Sequence, residues 1–243
     1  RVIPSASRPK LIARANATPL LLYYQQHTGS PLMATLLDDA LESSWTTEVL
    51  DSTYGDGFNS GVFMGDAFLV AERRSGNTSD PGGVRVARLE LDGQLGLLSM
   101  PGSSSTEYPT LSWHGSAARL VWVDFGSGRQ MFIASLDAQG RRVGNAVLVP
   151  NGGDYFNKAQ TMAAGSSDLF ILMSGYTGGT GIASHLAFAL HNAILVRKSG
   201  PTLLTESPNT LTSYQLKPMD GRGVAAWVES TDPPRLGLAL LNP

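Results

Sequence analysis

One internal period constrains this chain more than any other feature. An alanine, a leucine soon after it and then a turn-forming polar residue recur at intervals of roughly fifty residues, as Ala34…Asp38, Ala87…Asp92, Ala134…Asp137, Ala187…His191 and Ala239…Asn242. Asp, Asn and His suit that last place because short polar side chains bond the backbone of a tight turn or tolerate left-handed angles. A second motif keeps the same phase: Tyr23-Tyr24-Gln25, Val70-Ala71-Glu72, Trp122-Val123-Asp124, Leu172-Met173-Ser174 and Trp227-Val228-Glu229. Short apolar pairs, Val49-Leu50, Leu97-Leu98, Leu148-Val149 and Leu203-Leu204, follow in four of the units. Repetition at this period means stacked units that bury their apolar faces against one another.

The unit at 106–150 is the clearest. It reads as a strand Pro109–Trp113, a turn, a strand Arg119–Asp124, a strand Met131–Leu136, the turn Asp137-Ala138-Gln139-Gly140 and a strand Ala146–Val149. Four short antiparallel strands in about 45 residues make one propeller blade. Gly 27 and Pro 14 fit many short strands joined by turns. The period predicts an all-β, five-bladed β-propeller in one domain, with blades near 8–51, 58–99, 106–150, 155–205 and 209–243. The fifth unit stops at Asn242-Pro243 without a fourth strand, while Val2-Ile3-Pro4-Ser5 reads like Leu148-Val149-Pro150-Asn151. Residues 1–5 are therefore expected to complete the last blade and close the ring, which removes exposed sheet edges.

Val121-Trp122-Val123-Asp124 and Ile133-Ala134-Ser135-Leu136-Asp137-Ala138-Gln139-Gly140 give the chain a family resemblance. Residues 106–150 and 224–242 resemble the degenerate VWxD-type propeller repeats of secreted and surface proteins of high-GC bacteria. The resemblance implies the fold and an extracellular or periplasmic setting. Such repeats serve many functions, so it implies no activity. Arg1 in place of an initiator methionine reads as a processed form or an excerpt, with any export signal removed.

Composition removes several classes of function. The absence of cysteine excludes disulfides, thiolate metal sites and thiol nucleophiles. Net charge is −2 and the 18 basic residues are scattered, whereas a nucleic-acid binder needs a basic stripe. Apolar runs such as Leu20–Tyr24 and Ala187–Leu190 fall far short of the ~20 residues of a membrane helix.

On this scaffold the connections from strand two to strand three and the crossovers between blades emerge on one face, the expected binding face. The crossovers carry Tyr54 and Asp56, Tyr108, and Asp154 and Tyr155. Tyrosine beside acid or amide groups suits sugar rings and peptide surfaces alike. The competing structural role for such residues is as wedges between blades, and Phe156 reads as core. The polar loop 73–82, with Arg74 and Asn77, is the longest insertion on that face.

Glu72, Asp124 and Glu229 are similar in number to the carboxylates of five-bladed glycosidases. Glycoside hydrolysis needs two carboxyl groups about 5–10 Å apart. These three share one position at the end of strand two, a strand too far out to converge, so turn caps or salt bridges to Arg73 or Arg129 are the favoured roles. His185 and His191 lie on one strand ~20 Å apart and cannot share an ion. His27 and His114 read as exposed turn residues. Gly179-Thr180-Gly181 lacks the third glycine and the helix of a dinucleotide loop. No catalytic residue, cofactor or metal site is therefore expected. The sequence reads as a non-enzymatic binding or scaffold module presenting its loop-rich face to a protein or glycan. A carbohydrate-active enzyme, and a structural domain of a larger extracellular assembly, are the alternatives.

Overall fold

A computed structural model describes residues 6–14, 17–25, 31–50, 59–74, 83–99, 106–114, 116–126, 130–149, 155–164, 168–176, 183–205 and 211–243. All regular structure among them is β-strand. The first sheet holds β1 (Ala6–Arg14), β2 (Ala17–Gln25), β3 (Leu32–Leu37) and β4 (Ser43–Leu50). The second holds β5 (Asn59–Phe63), β6 (Ala67–Arg74), β7 (Gly83–Glu90) and β8 (Leu95–Ser99). The third holds β9 (Thr106–His114), β10 (Ala117–Asp124), β11 (Gln130–Leu136) and β12 (Arg142–Val149). The fourth holds β13 (Tyr155–Ala164), β14 (Asp168–Tyr176), β15 (Ala183–Asn192) and β16 (Arg197–Leu203). In the fifth, β17 (Leu211–Met219), β18 (Arg222–Glu229) and β19 (Arg235–Leu241) are described. Within every sheet the strands lie side by side in chain order, so each is a meander. Five such sheets give the five-bladed propeller class that the period predicts. The expected pairing of Val2 and Ile3 with the last sheet lies outside the described residues.

The chain divides into two compact units, residues 1–111 with 136–143, and residues 112–135 with 144–243. In the first, the side chains of β2 alternate so that Leu20, Leu22 and Tyr24 point at the second sheet, where Phe68, Val70, Ala87 and Leu89 receive them. Gly61 sits where β5 passes β1. A methyl group there would stand 3.0 Å from Ile12 Cδ1 and 3.2 Å from Leu22 Cδ1, so a bare backbone is what lets the strands approach. In the second unit, Phe170, Leu172, Leu186 and Leu190 of the fourth sheet pack on Leu216, Ala225, Trp227 and Leu241 of the fifth. Each fully buried Leu or Phe contributes roughly 1.5–3 kcal/mol, so these facing layers hold the sheets together.

The turns joining third to fourth strands repeat closely. They start at Asp38, Glu90, Asp137 and Asn192, and in each the first residue's N–H donates to the carbonyl four residues on. Asp38 Oδ1 accepts from the N–H groups of Ala40 and Glu42, Asp137 Oδ1 from those of Gln139 and Arg141, and Asn192 Oδ1 from those of Ile194 and Val196. The period therefore needs two corrections. Asn192, and not His191, is the turn former of the fourth unit. Asp92 is the third residue of its turn, where its Oδ1 accepts from the Gln94 N–H. The fourth residue of each turn is left-handed: Leu41 (φ 60), Gly93 (φ 88), Gly140 (φ 78) and Leu195 (φ 66).

These turns also dock one sheet on the next. The carbonyl of the second turn residue accepts a hydrogen bond from the preceding sheet in three instances. Trp45 Nε1 donates to Leu91 O at 2.8 Å, Arg88 Nη1 to Ala138 O at 2.6 Å and Arg119 Nη2 to Ala193 O at 2.7 Å. Turn geometry thus sets how neighbouring sheets meet.

Two of the left-handed sites are held by leucine, and this predicts opposite responses to glycine. Leu41 is 62% exposed, so Leu41→Gly removes a left-handed strain of about 1 kcal/mol without uncovering core. Thermal melting is expected to rise by roughly 2–4 °C. Leu195 is 5% exposed, and Leu195→Gly loses a buried side chain, which costs more than the strain it relieves. Its melting temperature should fall.

Candidate functional site

Of the residues singled out in the sequence, Tyr54, Asp56, Asn77 and Asp154 lie outside the described residues, as does His27. Arg74 closes β6 and Tyr155 opens β13, but their side chains, like that of Phe156, are outside the described set. Tyr108 is the one predicted binding residue whose side chain is described. It is the third residue of β9, half-buried and left-handed at φ 53. Arg8 is its counterpart two periods earlier: third residue of β1, left-handed at φ 52 and exposed. The β1–β2 register slips between Ser7 and Lys10, the β13–β14 register between Phe156 and Lys158, and the β17–β18 register between Leu211 and Ser213. A bulge thus recurs where the first strand of a sheet begins. Bulges re-aim side chains, and they concentrate next to binding and active sites.

The end of the strands that carries these bulges, called the upper end below, also holds a cluster of polar groups in the first unit. Register pairs Asn59 of β5 with Glu72 of β6, and Glu72 with Arg85 of β7. Residues so paired stand side by side on one face, with Cβ atoms about 5 Å apart. By alternation that face also carries Phe68 and Val70, and so it looks towards the first sheet. Glu72 is 1% exposed.

Tyr24 faces it from β2 and is 2% exposed. Its hydroxyl meets no partner at full hydrogen-bond geometry, although Asn59 and Glu72 stand beside it and Arg8 is within electrostatic reach. Burial, and after it the charge of Glu72, pushes the phenol well above the usual tyrosine range, so it keeps its proton at neutral pH. Ser7 Oγ donates to the Tyr24 carbonyl at 3.5 Å, and Lys10 Nζ donates to the Asn59 carbonyl at 3.2 Å. An acid, a phenol, an amide and cations thus converge from both sheets.

Of the two other carboxylates that end a second strand, both in the second unit, Asp124 takes the expected turn-cap role, while the bond between Glu229 and the Trp227 indole is neither a turn cap nor a salt bridge. Asp124 Oδ1 accepts from the Gly126 N–H at 2.9 Å, an ordinary turn cap. Glu229 Oε1 accepts from Trp227 Nε1 at 3.1 Å. Glu72 departs from that pattern, because it lies buried between sheets with Arg85 as its cross-strand neighbour, and Arg129, one of the partners expected for it, lies outside the described residues. The signal was present in Phe68-Val70-Glu72, which places a carboxylate in the core-facing set of a strand. No spacing in the sequence gives a role to Asn59, Arg85 or Arg8, and the repeat places Tyr24 only within a strand.

The histidines also need correction. His114 closes β9 and is buried, not exposed in a turn. His191 is 0% exposed, and neither ring nitrogen has a hydrogen-bond partner. Burial, with Arg197 adding to it, lowers its pKa to about 4. Among the described residues no group of three or more His, Asp or Glu is placed to hold a metal ion.

No protein-family model matches the chain, and no curated protein sequence does. Solved structures do share its fold. An endo-arabinase from Bacteroides thetaiotaomicron is similar over 97% of this chain and 94% of its own, at 9% identity and a TM-score of 0.59. A GH43 β-1,3-galactosidase solved with galactodeoxynojirimycin is similar over 98% of this chain and 91% of its own, at 10% identity and a TM-score of 0.58. A PL25 ulvan lyase bound to -[GlcA(1-4)Rha3S]- is similar over 98% of this chain and 68% of its own, at 10% identity and a TM-score of 0.69. At such identities the likeness is one of fold.

The state of His191 predicts an acid sensitivity. The unfolded side chain takes up its proton near pH 6.5, whereas the folded one waits until about pH 4. Between those values the unfolded chain binds more protons, so folding stability falls as pH falls, by about 3 kcal/mol in all, and above pH 6.5 the term vanishes. His191→Leu removes both the orphaned nitrogens and this slope. Urea denaturation of the two proteins at neutral and acid pH should show the variant gaining most at the acid end.

Proposed function

We propose that this chain is a carbohydrate-active protein that takes a glycan at the upper end of its first unit, beside Glu72. The observation that carries the reading is the placing of Glu72 and Tyr24 together at core-facing positions, with Asn59 beside the phenol and Arg8 within its electrostatic reach. Burying a carboxylate and a hydroxyl where leucines would pack costs stability, so the arrangement calls for a use. A phenol that keeps its proton beside a carboxyl group supplies a hydrogen-bond donor and an acceptor for sugar hydroxyls, and the carboxyl group is the one suited to exchange a proton with a glycosidic oxygen. The likeness of fold to an endo-arabinase, a galactosidase and a polysaccharide lyase over nearly the whole chain supports this class over a scaffold for proteins.

Glycan binding without turnover is the second reading, and a specific observation favours it. Glycoside hydrolysis by the common route needs two carboxyl groups across the sugar ring. Among the described side chains at the upper end of the first unit, Glu72 is a buried carboxylate and Glu48 an exposed one.

Reducing-end release and unsaturated-product absorbance, measured on a panel of arabinans, galactans and uronate polymers, would separate the two readings. Turnover that falls roughly 10²–10⁴-fold in Glu72→Gln and in Tyr24→Phe, with both variants folded, is the expected result. Turnover unchanged in both variants would move the chemistry elsewhere. Binding without product on every polymer would establish the second reading.

A further inference from the structure

We propose that the second unit holds a binding site for a small oxyanion, formed by Arg119 of β10 with Ser112 and His114 of β9. The site lies at the lower end of these strands, near the β9–β10 hairpin, and it does not depend on the glycan reading. Arg119 is 6% exposed. Its guanidinium donates from Nη2 to the Ala193 carbonyl at 2.7 Å and from Nη1 to the Ala118 carbonyl at 3.3 Å. Among the described residues no carboxylate is bonded to it. Arg88 makes the equivalent docking bond, to the Ala138 carbonyl, but Glu90 at 2.6 Å and Asp66 at 3.1 Å balance its charge. Trp45 makes that bond with no charge at all. Burial lowers the Arg119 pKa, whereas Glu90, and after it Asp66, raises that of Arg88. Docking thus needs no cation at 119, and burying one without a counterion is costly.

Ser112 and His114 alternate onto one face of β9. Two residues join β9 to β10, which sets Ser112 across from Arg119 on that face. Ser112 is 7% exposed and His114 4%. Neither Ser112 Oγ nor His114 Nε2 meets a hydrogen-bond partner among the described residues. His191, whose two ring nitrogens are also without partners, lies on the face of β15 turned away from the fifth sheet, since Leu186 and Leu190 pack on that sheet. Two acidic residues of the second unit lie at this end. Asp168 is held by Lys198 Nζ at 2.8 Å, and Asp220 is exposed on its turn. Neither balances Arg119. A hydroxyl, an imidazole N–H and a guanidinium are donors that match the oxygens of phosphate, sulfate or a carboxylate. Their near-complete burial admits a small ion and not a polymer.

Calorimetric titration with sodium phosphate, sodium sulfate and sodium acetate, at an ionic strength held constant with sodium chloride, tests the proposal and separates tetrahedral from carboxylate ligands. Saturable binding of at least one of these ions, one per chain, is expected, with a matching saturable rise in melting temperature. The Ser112→Ala/His114→Phe protein, which keeps Arg119 and its docking bond, should bind roughly tenfold or more weakly. Arg119→Gln should lose binding, and Arg119→Lys, which keeps the charge, should retain a measurable part of it. Melting temperatures without added oxyanion show which variants are folded, and Ser112→Ala alone, the smallest change, should still weaken binding. An absence of saturable binding by all three ions would overturn the proposal. So would binding that the Ser112 and His114 substitutions leave unchanged, or a rise in melting temperature equal in every variant, which is a general salt effect.

Discussion

Contact between the apolar faces of successive sheets is the interaction on which the rest of this structure depends. A meander of four short strands has two faces, and in this chain both are apolar. Leu20 and Leu22 point one way from β2, and Phe68 and Val70 point back at them from β6. No isolated sheet of this size could leave both faces in water, since each exposed leucine or phenylalanine forfeits roughly 1.5–3 kcal/mol. Repetition follows from that constraint, because the simplest partner for a two-faced sheet is another copy of itself. The rotation between neighbours is then fixed by close approaches such as Gly61 against Ile12 and by the turn carbonyls that accept from Trp45, Arg88 and Arg119.

The docking turns explain a feature that packing alone leaves open. A carbonyl at the second position of a tight turn faces outward and has no partner within its own hairpin, so it is free to accept from the preceding sheet. An indole or a guanidinium serves equally well, because what the site requires is a long side chain with a rigid N–H. The repeat therefore conserves a geometry while its residues change. Gly140 extends the same contact: with its left-handed angle and no side chain it lies against Val86 and Leu69, where a Cβ would come within 2.9 Å of Val86 Cγ1.

Strand content, the number of units and the approximate place of each hairpin were legible in the residues, since alternation and turn chemistry are local and recur. The phase was less secure. His191 and Asn192 are both polar and adjacent, and only backbone hydrogen bonds decide which one caps the turn. The candidate site was legible in fragments. Glu72 drew notice as a carboxylate at the end of strand two, but its neighbours are set by register. Asn59, Glu72 and Arg85 come together because two hairpins of particular lengths align them, and no spacing in the sequence states that alignment. Arg8 was within reach, two periods before the singled-out Tyr108, yet a bulge leaves no mark in composition.

Seen from the core, the cluster is where the stacking rule is broken. The alternation Phe68, Val70 calls for a third apolar residue at position 72, and the facing series Leu20, Leu22 calls for another at 24. The chain supplies a carboxylate and a phenol instead, in a layer where a well-packed hydrophobic pair would be at least as stable. Arg85 across the strand brings a second charge beside the buried one. The Tyr24 hydroxyl gains nothing from full hydrogen-bond geometry. A layer that only separated sheets would have no reason to accept these terms. At the other end of the same interface the Arg14 guanidinium lies 5.0 Å from the Phe63 ring centroid, so what sets the breach at 72 and 24 apart is a buried carboxylate beside a phenol, at the strand ends where bulges turn side chains outward. Costly burial of polar groups beside a re-aimed backbone is the pattern expected of a binding site built into a scaffold.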